Sequence, residues 1–266
     1  MRLNKVEIPY RGNFIYIEPL GDIHVGNPAT DLNRLQERIE EIRKDKNRYW
    51  IGMGDYVDNI RPWRRGVVDK RWETNLLLGE PGWIRQWEIF VEYVKPIANK
   101  CIGFLWGNHE YSTFEEYEFE RMVKQDLGVT FLGSRGMIYL DISGKNVKKK
   151  DWRVCAVHGD FSGYSSGGAL NAVKGLVQTH VANIYLYAHT HFKTYEKGER
   201  VSINVENGKP KLIREPTLIV LTGGFIDPFF IGADMYFDKK PRGKNIRVGT
   251  ITIGIDPEGV KIHVFE

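Results

Sequence analysis

The chain has 266 residues, of which 42% are apolar and 27% are charged. These fractions are close to the average for folded globular proteins, so they exclude a disordered, a collagen-like and a coiled-coil chain. The net charge of +4 comes from 38 basic and 34 acidic residues and does not by itself indicate an anionic partner.

The sequence shows no clear pattern for a signal peptide, a membrane span or a disulfide framework. The most apolar stretch, 217–226, is too short for a membrane span, and residues 1–9 lack the apolar centre of a signal peptide. We therefore expect a cytoplasmic protein with no membrane partner. Cys101 and Cys155, the two cysteines, each lie in an apolar run, which predicts reduced core residues rather than a disulfide or a thiolate metal site.

Apolar periodicity predicts short strands alternating with helices, followed by strands alone. In chain order the predicted elements are a strand at 14–20, a helix with an apolar stripe from Leu32 to Ile42, a strand at 49–53, a helix from Trp83 to Val94 that Pro96 ends, a strand at 101–106, a helix opened by a Thr113 and Glu116 capping box, strands at 129–132, 136–142 and 152–157, a helix around 170–177, and strands at 184–188, 201–205, 218–221, 247–255 and 260–265. This order predicts an α/β layered fold. No repeat or linker divides it, so we expect a single domain over residues 1–266.

Polar clusters follow five of the predicted strands. They are Gly21-Asp22-Ile23-His24, Gly54-Asp55-Tyr56-Val57-Asp58, Gly107-Asn108-His109-Glu110, His158-Gly159 and His189-Thr190-His191. Because ligands bind at the carboxyl ends of strands in α/β sheets, these clusters are expected to converge on one site.

The clusters offer nitrogen and oxygen donors suited to metal ions. In extended backbone the members of the pairs Asp22/His24 and His189/His191 point to the same side. With Asp55, Asn108 and His158 they make seven donors, too many for one tetrahedral ion but suited to two ions that share a carboxylate. The absence of sulfur and the presence of imidazole favour Mn²⁺ first, then Fe, Zn, Co or Ni, over calcium.

Together these motifs resemble the signature of the calcineurin-like metallophosphoesterases over residues 21–191. The resemblance implies a layered sandwich of two mostly β sheets flanked by helices, with a dinuclear metal site at the carboxyl ends of strands. It implies a first metal held by Asp22, His24, Asp55 and His191, and a second held by the bridging Asp55 with Asn108, His158 and His189. His109 would face the substrate.

Other roles follow from the chemistry of two adjacent cations, which lower the pKa of a bridging water. The expected nucleophile is therefore a metal-bridging hydroxide, and His109 is expected to protonate the leaving oxygen or to stabilise charge on the phosphoryl group. Asp58 and Glu110 are expected either to orient ligand histidines or to serve as plain turn and helix-start residues.

Departures from the family pattern narrow the range of substrates expected for this chain. Asn59 and Ile60 stand where the phosphoprotein phosphatases of this superfamily carry Arg-Gly, and those enzymes generally lack the His-x-His pair. The sequence therefore resembles the phosphodiesterase and nuclease branches more closely. Ala188 stands where a glycine usually precedes His-x-His, which is a mild difference.

Basic residues are concentrated in two segments, 61–71 and 238–247, each with five basic residues and one acidic residue. Arg61, Arg64 and Arg65 lie with Trp63 at the start of an expected insertion at about 60–98, between two metal motifs. Arginine and tryptophan suit phosphate contacts and base stacking on single-stranded nucleic acid. The alternative is that the tryptophans pack the insertion onto the domain while the arginines pair with surface acids.

Three functions stay open at this stage. The first is a metal-dependent phosphodiesterase acting on a phosphoester, with nucleic acid as one candidate substrate. The second is a phosphomonoesterase or nucleotide phosphatase, because the metal chemistry is the same. The third is a catalytically silent metal-binding scaffold, which the presence of His109 argues against. The physiological substrate and the oligomeric state are left open by the sequence.

The basic segment gives a test of the nucleic-acid interpretation. Replacing Arg61, Arg64 and Arg65 by glutamate should weaken binding to a single-stranded oligonucleotide and flatten its salt dependence, because each lost phosphate contact removes about 0.7 from the slope. Fluorescence anisotropy across a salt series measures both. Hydrolysis of a small chromogenic ester is the control and should barely change. Wild-type affinity in the triple variant would contradict this interpretation.

Overall fold

A computed structural model of the chain describes residues 1–12, 14–58, 82–144, 147–161, 163, 165–227, 247–258 and 261–265. Within these residues two β-sheets are flanked by helices, which confirms the expected fold class. The strands are β1 (Arg2–Pro9), β2 (Ile15–Leu20), β3 (Arg48–Met53), β4 (Cys101–Leu105), β5 (Phe131–Gly133), β6 (Arg135–Gly144), β7 (Val147–Val157), β8 (Ile184–Tyr187), β9 (Lys193–Glu206), β10 (Lys209–Gly224), β11 (Gly249–Thr250), β12 (Thr252–Asp256) and β13 (Lys261–Phe265). The helices are α1 (Leu32–Lys44), α2 (Gly82–Val94), α3 (Asn108–Tyr111), α4 (Glu116–Asp126) and α5 (Ser166–Thr179).

The strands pair in two separate sheets. One has the order β1-β6-β7-β8-β10-β11, with β9 paired to β10, and the other has the order β13-β12-β2-β3-β4-β5. The neighbours β2, β3 and β4 run parallel, and β7 runs parallel to β8. Parallel pairing places the carboxyl ends of β2, β3 and β4 at one edge of their sheet, and those of β7 and β8 at one edge of theirs.

Apolar layers hold the sheets and helices together. Between the sheets most of the buried side chains are aliphatic, and Ile17, Leu140 and Leu186 are fully buried there. The predicted apolar stripe of α1 packs with aromatic residues on the outer face of the second sheet. Helix α5 covers the first sheet through Ala169 and Val173. Both cysteines are free; Cys155 is buried as expected, whereas Cys101 is only half-buried.

Several predicted boundaries differ from the structure. Strand β1 was not predicted, because only Ile8 is buried in it and polar residues interrupt every apolar run. Strands β9 and β10 are much longer than the predicted segments 201–205 and 218–221, since their outer halves carry exposed, charged side chains. The predicted strand at 247–255 is divided into β11 and β12.

The predicted capping box of Thr113 and Glu116 is wrong. Helix α4 begins at Glu116, and its capping box pairs Glu115 with Glu118, two residues later than predicted.

The part of the expected insertion that the structure describes, 82–98, forms α2 and most of the following 3₁₀ helix (Lys95–Lys100), where Pro96 lies as expected. The single domain over residues 1–266 stays a prediction.

A buried ion cluster ties α1 to the second sheet. Glu18 of β2 is fully buried; Arg48 and Thr252 donate hydrogen bonds to its carboxylate, and Arg38 lies 3.7 Å from it. Burial raises the pKa of Glu18, although both arginines oppose that effect. Burial therefore makes the ionised form costly, and the two arginines offset part of that cost.

This cluster predicts a pH-dependent loss of stability. Arg48→Ala should lower the free energy of unfolding by about 3 kcal/mol, because it leaves a buried carboxylate with less compensation. A carboxyl with a raised folded-state pKa costs stability as the pH rises above its unfolded pKa, so the loss should be smaller at pH 5 than at pH 8. Urea unfolding at both pH values measures it. Arg43→Ala, which removes an exposed pair with Glu40, is the control and should change little.

Candidate metal centre

The five polar clusters meet where the carboxyl ends of β2, β3, β4, β7 and β8 come together. Three groups of side chains place ligand atoms within 4.8 Å of one another: Asp22 with His24 and His191, His24 with Asp55 and His109, and Asp55 with His158 and His189. His24 and Asp55 each belong to two groups, so the three form one continuous cluster. The structure therefore brings together residues that lie up to 169 positions apart in the chain, from Asp22 to His191.

Asp55 lies at the centre of this cluster. Its Oδ2 atom is 3.3 Å from His158 Nε2 and 3.9 Å from the Nε2 atoms of both His24 and His109. Its Oδ1 atom accepts a hydrogen bond from the backbone N–H of His109. Burial alone would raise the pKa of Asp55, but the attraction of His158 and His109 outweighs it and holds that pKa well below its ordinary value.

His158 is oriented by two neighbours. Its Nδ1 donates to the carbonyl oxygen of Met53 at 2.8 Å, so Nε2 faces Asp55 and lies 3.1 Å from Oδ1 of Asn108. Burial lowers the pKa of His158, yet the attraction of Asp55 outweighs it and the net pKa is raised to about 10. Two oxygens thus favour a positive charge at Nε2, so a divalent cation bound at this position would compete with a proton.

Asp22 and His24 present atoms that the described residues leave without hydrogen bonds. Asp22 Oδ1 accepts from the backbone of His189, but its Oδ2 and the Nε2 of His24 are buried and have no such partner among these residues. Burial raises the pKa of Asp22 to about 8, with repulsion from Asp55 adding to the effect. Buried polar atoms without partners are costly, and a cation is the ligand that suits a carboxylate beside an imidazole.

The backbone at the cluster is unusual. Asp22, His24, Asp55, His189 and His191 have φ between 48° and 67°, in the left-handed region that non-glycine residues rarely adopt. The extended backbone expected for the two i, i+2 pairs is therefore wrong. The side chains are aimed by tight turns instead, and the left-handed backbone stores strain that the surroundings must hold.

Hydrogen bonds between neighbouring loops hold these turns. The backbone N–H groups of Asp22 and Ile23 donate to the carbonyl oxygens of Gly54 and Asp55. The loops after β2 and β3 are thus joined directly beyond the ends of their strands. In consequence Asp22 and Asp55 cannot move independently.

The next loop requires a glycine at position 107, because its backbone touches Asp55 directly. A Cβ atom at Gly107 would lie 2.1 Å from Asp55 Oδ1 and 2.5 Å from its backbone nitrogen. Gly54, with φ of 92°, faces the same contact, since its Cβ would lie 2.6 Å from Gly107 N and from His158 Nδ1. Both glycines allow three loops to approach within van der Waals distance.

Glu110 lies differently from the expectation that it orients a histidine. Its buried carboxylate accepts hydrogen bonds at 2.8–2.9 Å from the backbone N–H groups of Asp55, Tyr56 and Gly107. It therefore fixes the turn that carries Asp55. Asp58, in contrast, places Oδ1 3.5 Å from His24 Nδ1 and accepts from Asn27 at 3.2 Å. Asn27 was missed by the sequence interpretation, and its only signal was its position three residues after His24.

His109 lies at the rim of the cluster. Its Nδ1 is hydrogen-bonded to the carbonyl oxygen of Asp58, so Nε2 faces inward toward Asp55. The side chain is 13% exposed, more than any of its imidazole and carboxylate neighbours His24, Asp55 and His158. Burial lowers the pKa of His109, but the attraction of Asp55 and Asp58 outweighs it and the net pKa is raised.

The structure does not describe the proposed substrate residues. Arg61, Arg64 and Arg65 lie outside the described residues, as does most of the second basic segment. Arg247 of that segment is described and lines a cavity of about 550 Å³ together with Arg34, Lys193, Asp31 and Glu37. This cavity has both signs of charge and does not by itself indicate an anionic ligand.

Comparison with known families shows which family the chain belongs to. The sequence profile described as calcineurin-like phosphoesterase matches residues 20–193, which include every member of the cluster. The chain belongs to the calcineurin-like phosphoesterase family. Membership supports metal-dependent hydrolysis of phosphoesters, and all the candidate ligand groups lie within the matched region.

Solved structures resemble this calcineurin-like phosphoesterase only distantly. A predicted phosphoesterase of Streptococcus pneumoniae TIGR4 is 15% identical, with 92% of this chain and 86% of that chain covered and a TM-score of 0.37. Vps29 of Chaetomium thermophilum is 10% identical, with coverages of 96% and 95% and a TM-score of 0.42. A metallophosphoesterase of Sphaerobacter thermophilus is 14% identical, with coverages of 94% and 88% and a TM-score of 0.39. These TM-scores are too low to carry an argument.

Two further comparisons are brief. No curated protein sequence matches this calcineurin-like phosphoesterase. Among the described residues, no helix has both the length and the apolar character that a membrane span requires.

The pKa values at the cluster predict that metal binding releases protons. At pH 7 a pKa of about 10 keeps His158 protonated, and a pKa of about 8 keeps most of Asp22 protonated. A divalent cation must displace these protons, so its affinity should rise between pH 6 and pH 8 by about tenfold per pH unit for each proton displaced. Calorimetric titration with Mn²⁺ in buffers of different ionisation enthalpy counts the protons. His180→Ala, outside the cluster, is the control, and pH-independent affinity would contradict the expectation.

Proposed function

We propose that this calcineurin-like phosphoesterase is a dinuclear phosphodiesterase. The observation that carries the proposal is the position of Asp55, whose Oδ2 atom lies 3.9 Å from Nε2 of His24 in the first proposed site and 3.3 Å from Nε2 of His158 in the second. A carboxylate shared in this way suits two cations about 3.5–4 Å apart, an arrangement typical of phosphoester hydrolysis.

The proposed first site consists of Asp22, His24, Asp55 and His191. The proposed second site consists of Asp55, Asn108, His158 and His189. The donor set fits divalent transition metals, because it offers only nitrogen and oxygen atoms and includes buried Asp22 Oδ2 and His24 Nε2, which lack hydrogen-bond partners among the described residues. We propose Mn²⁺ as the ion, with Fe, Zn, Co and Ni as the alternatives. When bound, the two cations supply Lewis-acid activation of water and neutralise phosphoryl charge.

The remaining residues have roles that follow from their contacts. Met53 O fixes the tautomer of His158 so that Nε2 is directed at the second site. Asp58 orients His24 in the first site, and Glu110 fixes the Asp55 turn through backbone hydrogen bonds.

His109 is proposed as the proton donor to the leaving oxygen. Its Nδ1 is held by the carbonyl oxygen of Asp58, which leaves Nε2 as the nitrogen that can carry and release a proton toward the site. The raised pKa favours the protonated form that an acid requires. Its position at the rim also leaves it outside the two proposed ligand sets.

Single-stranded nucleic acid is the proposed substrate class, supported by the arginines and tryptophan of 61–71 in the sequence. A cytoplasmic location is proposed on the same footing, from the sequence alone. The proposed function needs neither of these to hold, because the cluster around Asp55 would act on any accessible phosphodiester.

Paired hydrolysis assays test the reaction class. With Mn²⁺ the enzyme should hydrolyse bis(p-nitrophenyl) phosphate with a higher kcat/KM than p-nitrophenyl phosphate. Chelation should abolish both activities, and Mn²⁺ should restore them. Asp55→Asn is the inactive control, because it weakens both proposed sites. A preference for the monoester would favour the phosphatase alternative, and no metal-dependent turnover on either ester would leave a metal-binding scaffold.

The role of His109 has its own test. His109→Ala should keep near-normal metal content, measured by inductively coupled plasma mass spectrometry, while turnover falls by about 10²- to 10⁴-fold. The loss should be larger for an alkyl leaving group than for nitrophenolate, which departs without a proton. His180→Ala is the matched histidine control. Equal losses on both leaving groups would rule out the acid role.

A further inference from the structure

A buried tyrosine connects the two loops that carry His158 and His189. Tyr187 is the last residue of β8 and is 4% exposed. Its hydroxyl accepts hydrogen bonds from the backbone N–H groups of Asp160 at 3.1 Å and Phe161 at 3.2 Å, and it donates to Asp160 Oδ1 at 3.3 Å. One donated and two accepted bonds use the full capacity of a hydroxyl group.

The ring of Tyr187 also shapes the loop after His158. Gly159 has φ of 90°, and a Cβ atom there would lie 2.4 Å from the ring. The loop backbone therefore packs against the tyrosine, with Gly159 on the ring and the N–H groups of Asp160 and Phe161 on the hydroxyl. Only a glycine permits this approach.

The same residue fixes the start of the neighbouring loop. Tyr187 is paired with Val157 in the β7–β8 ladder, and Ala188 N donates to Val157 O just before the chain turns into His189. The rings of His158 and His189 then meet edge to face, with centroids 5.3 Å apart. Tyr187 thus contacts both loops at the point where each begins to turn.

We propose that Tyr187 is a positioning residue for the second metal site, fixing His158 relative to His189; this inference rests on the proposed dinuclear function. The tyrosine contacts no reacting group and acts through the loop backbone. Removing its hydroxyl frees two backbone N–H groups and the Asp160 carboxylate, which loosens the turn that carries His158. Losses of this kind typically weaken metal affinity by about 10- to 100-fold.

The chain provides a matched control on the same strand. Tyr185 is fully buried, accepts a hydrogen bond from Ala182 N at 3.0 Å and donates to His180 O at 2.6 Å. These partners precede β8, at the end opposite to the metal centre. Tyr185→Phe therefore removes a similar buried hydroxyl with similar backbone partners, and it leaves the ligand loops untouched.

The experiment compares Tyr187→Phe with Tyr185→Phe and wild type. Both variants should lower the melting temperature, by comparable amounts. Only Tyr187→Phe should raise the Mn²⁺ concentration for half-maximal hydrolysis, by 10-fold or more, with kcat at saturating Mn²⁺ within about threefold of wild type. Equilibrium dialysis should show one of the two bound ions weakened.

Other variants and readouts keep the proposal falsifiable. Gly159→Ala, which displaces the same loop from the ring, should reproduce the weakened metal site, and combining it with Tyr187→Phe should add little. An equal Mn²⁺ requirement in Tyr187→Phe and Tyr185→Phe would overturn the positioning role. If wild type lacks hydrolysis, the proposed function fails, whereas the dialysis comparison still decides the role of Tyr187.

Discussion

The carboxylate of Asp55 lies in the interior with three imidazole nitrogens within 3.9 Å of one of its oxygens. Ionised groups at this depth are unfavourable unless each is compensated by a partner of opposite charge or a hydrogen bond. The surrounding architecture meets that requirement from two sheets. Strands β2, β3 and β4 supply one wall and β7 and β8 the other, so no single sheet carries the complete set.

The turns that bring these side chains together have a strained backbone. Five residues of the cluster occupy left-handed turns, each of which costs about 1–3 kcal/mol and persists only where other interactions determine it. Glu110 supplies part of that support by accepting four backbone hydrogen bonds from the Asp55 and Gly107 turns. The Glu110 carboxylate belongs to neither proposed ligand set. The site nevertheless depends on it as much as on the residues that face its centre.

The sequence predicts much of the site because its residues follow apolar runs, and apolar runs mark buried parallel strands. Asp22, Asp55 and His158 could be placed at strand ends for that reason. The backbone conformation of these residues could not be predicted, because the sequence around Asp22 and His24 does not distinguish an extended from a left-handed backbone. The extended assumption selected residues whose ligand atoms the structure brings together, but with an incorrect backbone geometry.

Other features depended on tertiary contacts that leave no local pattern. Strand β1 is held by pairing with β6, and its own residues alternate too weakly to be recognised. Glu110 could be singled out beside Asn108, but its partners Asp55 N and Tyr56 N lie more than 50 positions away, and only the folded chain brings them to its carboxylate. Asn27 carries no signal beyond its distance from His24.

The contact between Gly107 and Asp55 also limits how this protein can be engineered for heat resistance. Replacing glycine by alanine is a standard way to stiffen a chain, and at Gly175 of α5, where an added Cβ would meet nothing within 4 Å, it should stabilise the helix by about 1 kcal/mol. At Gly107 the same change would push a methyl group into the carboxylate at the centre of the site. Stiffening is therefore available at Gly175 and closed at Gly107, so a heat-resistant variant must keep the glycine that touches the centre of the site.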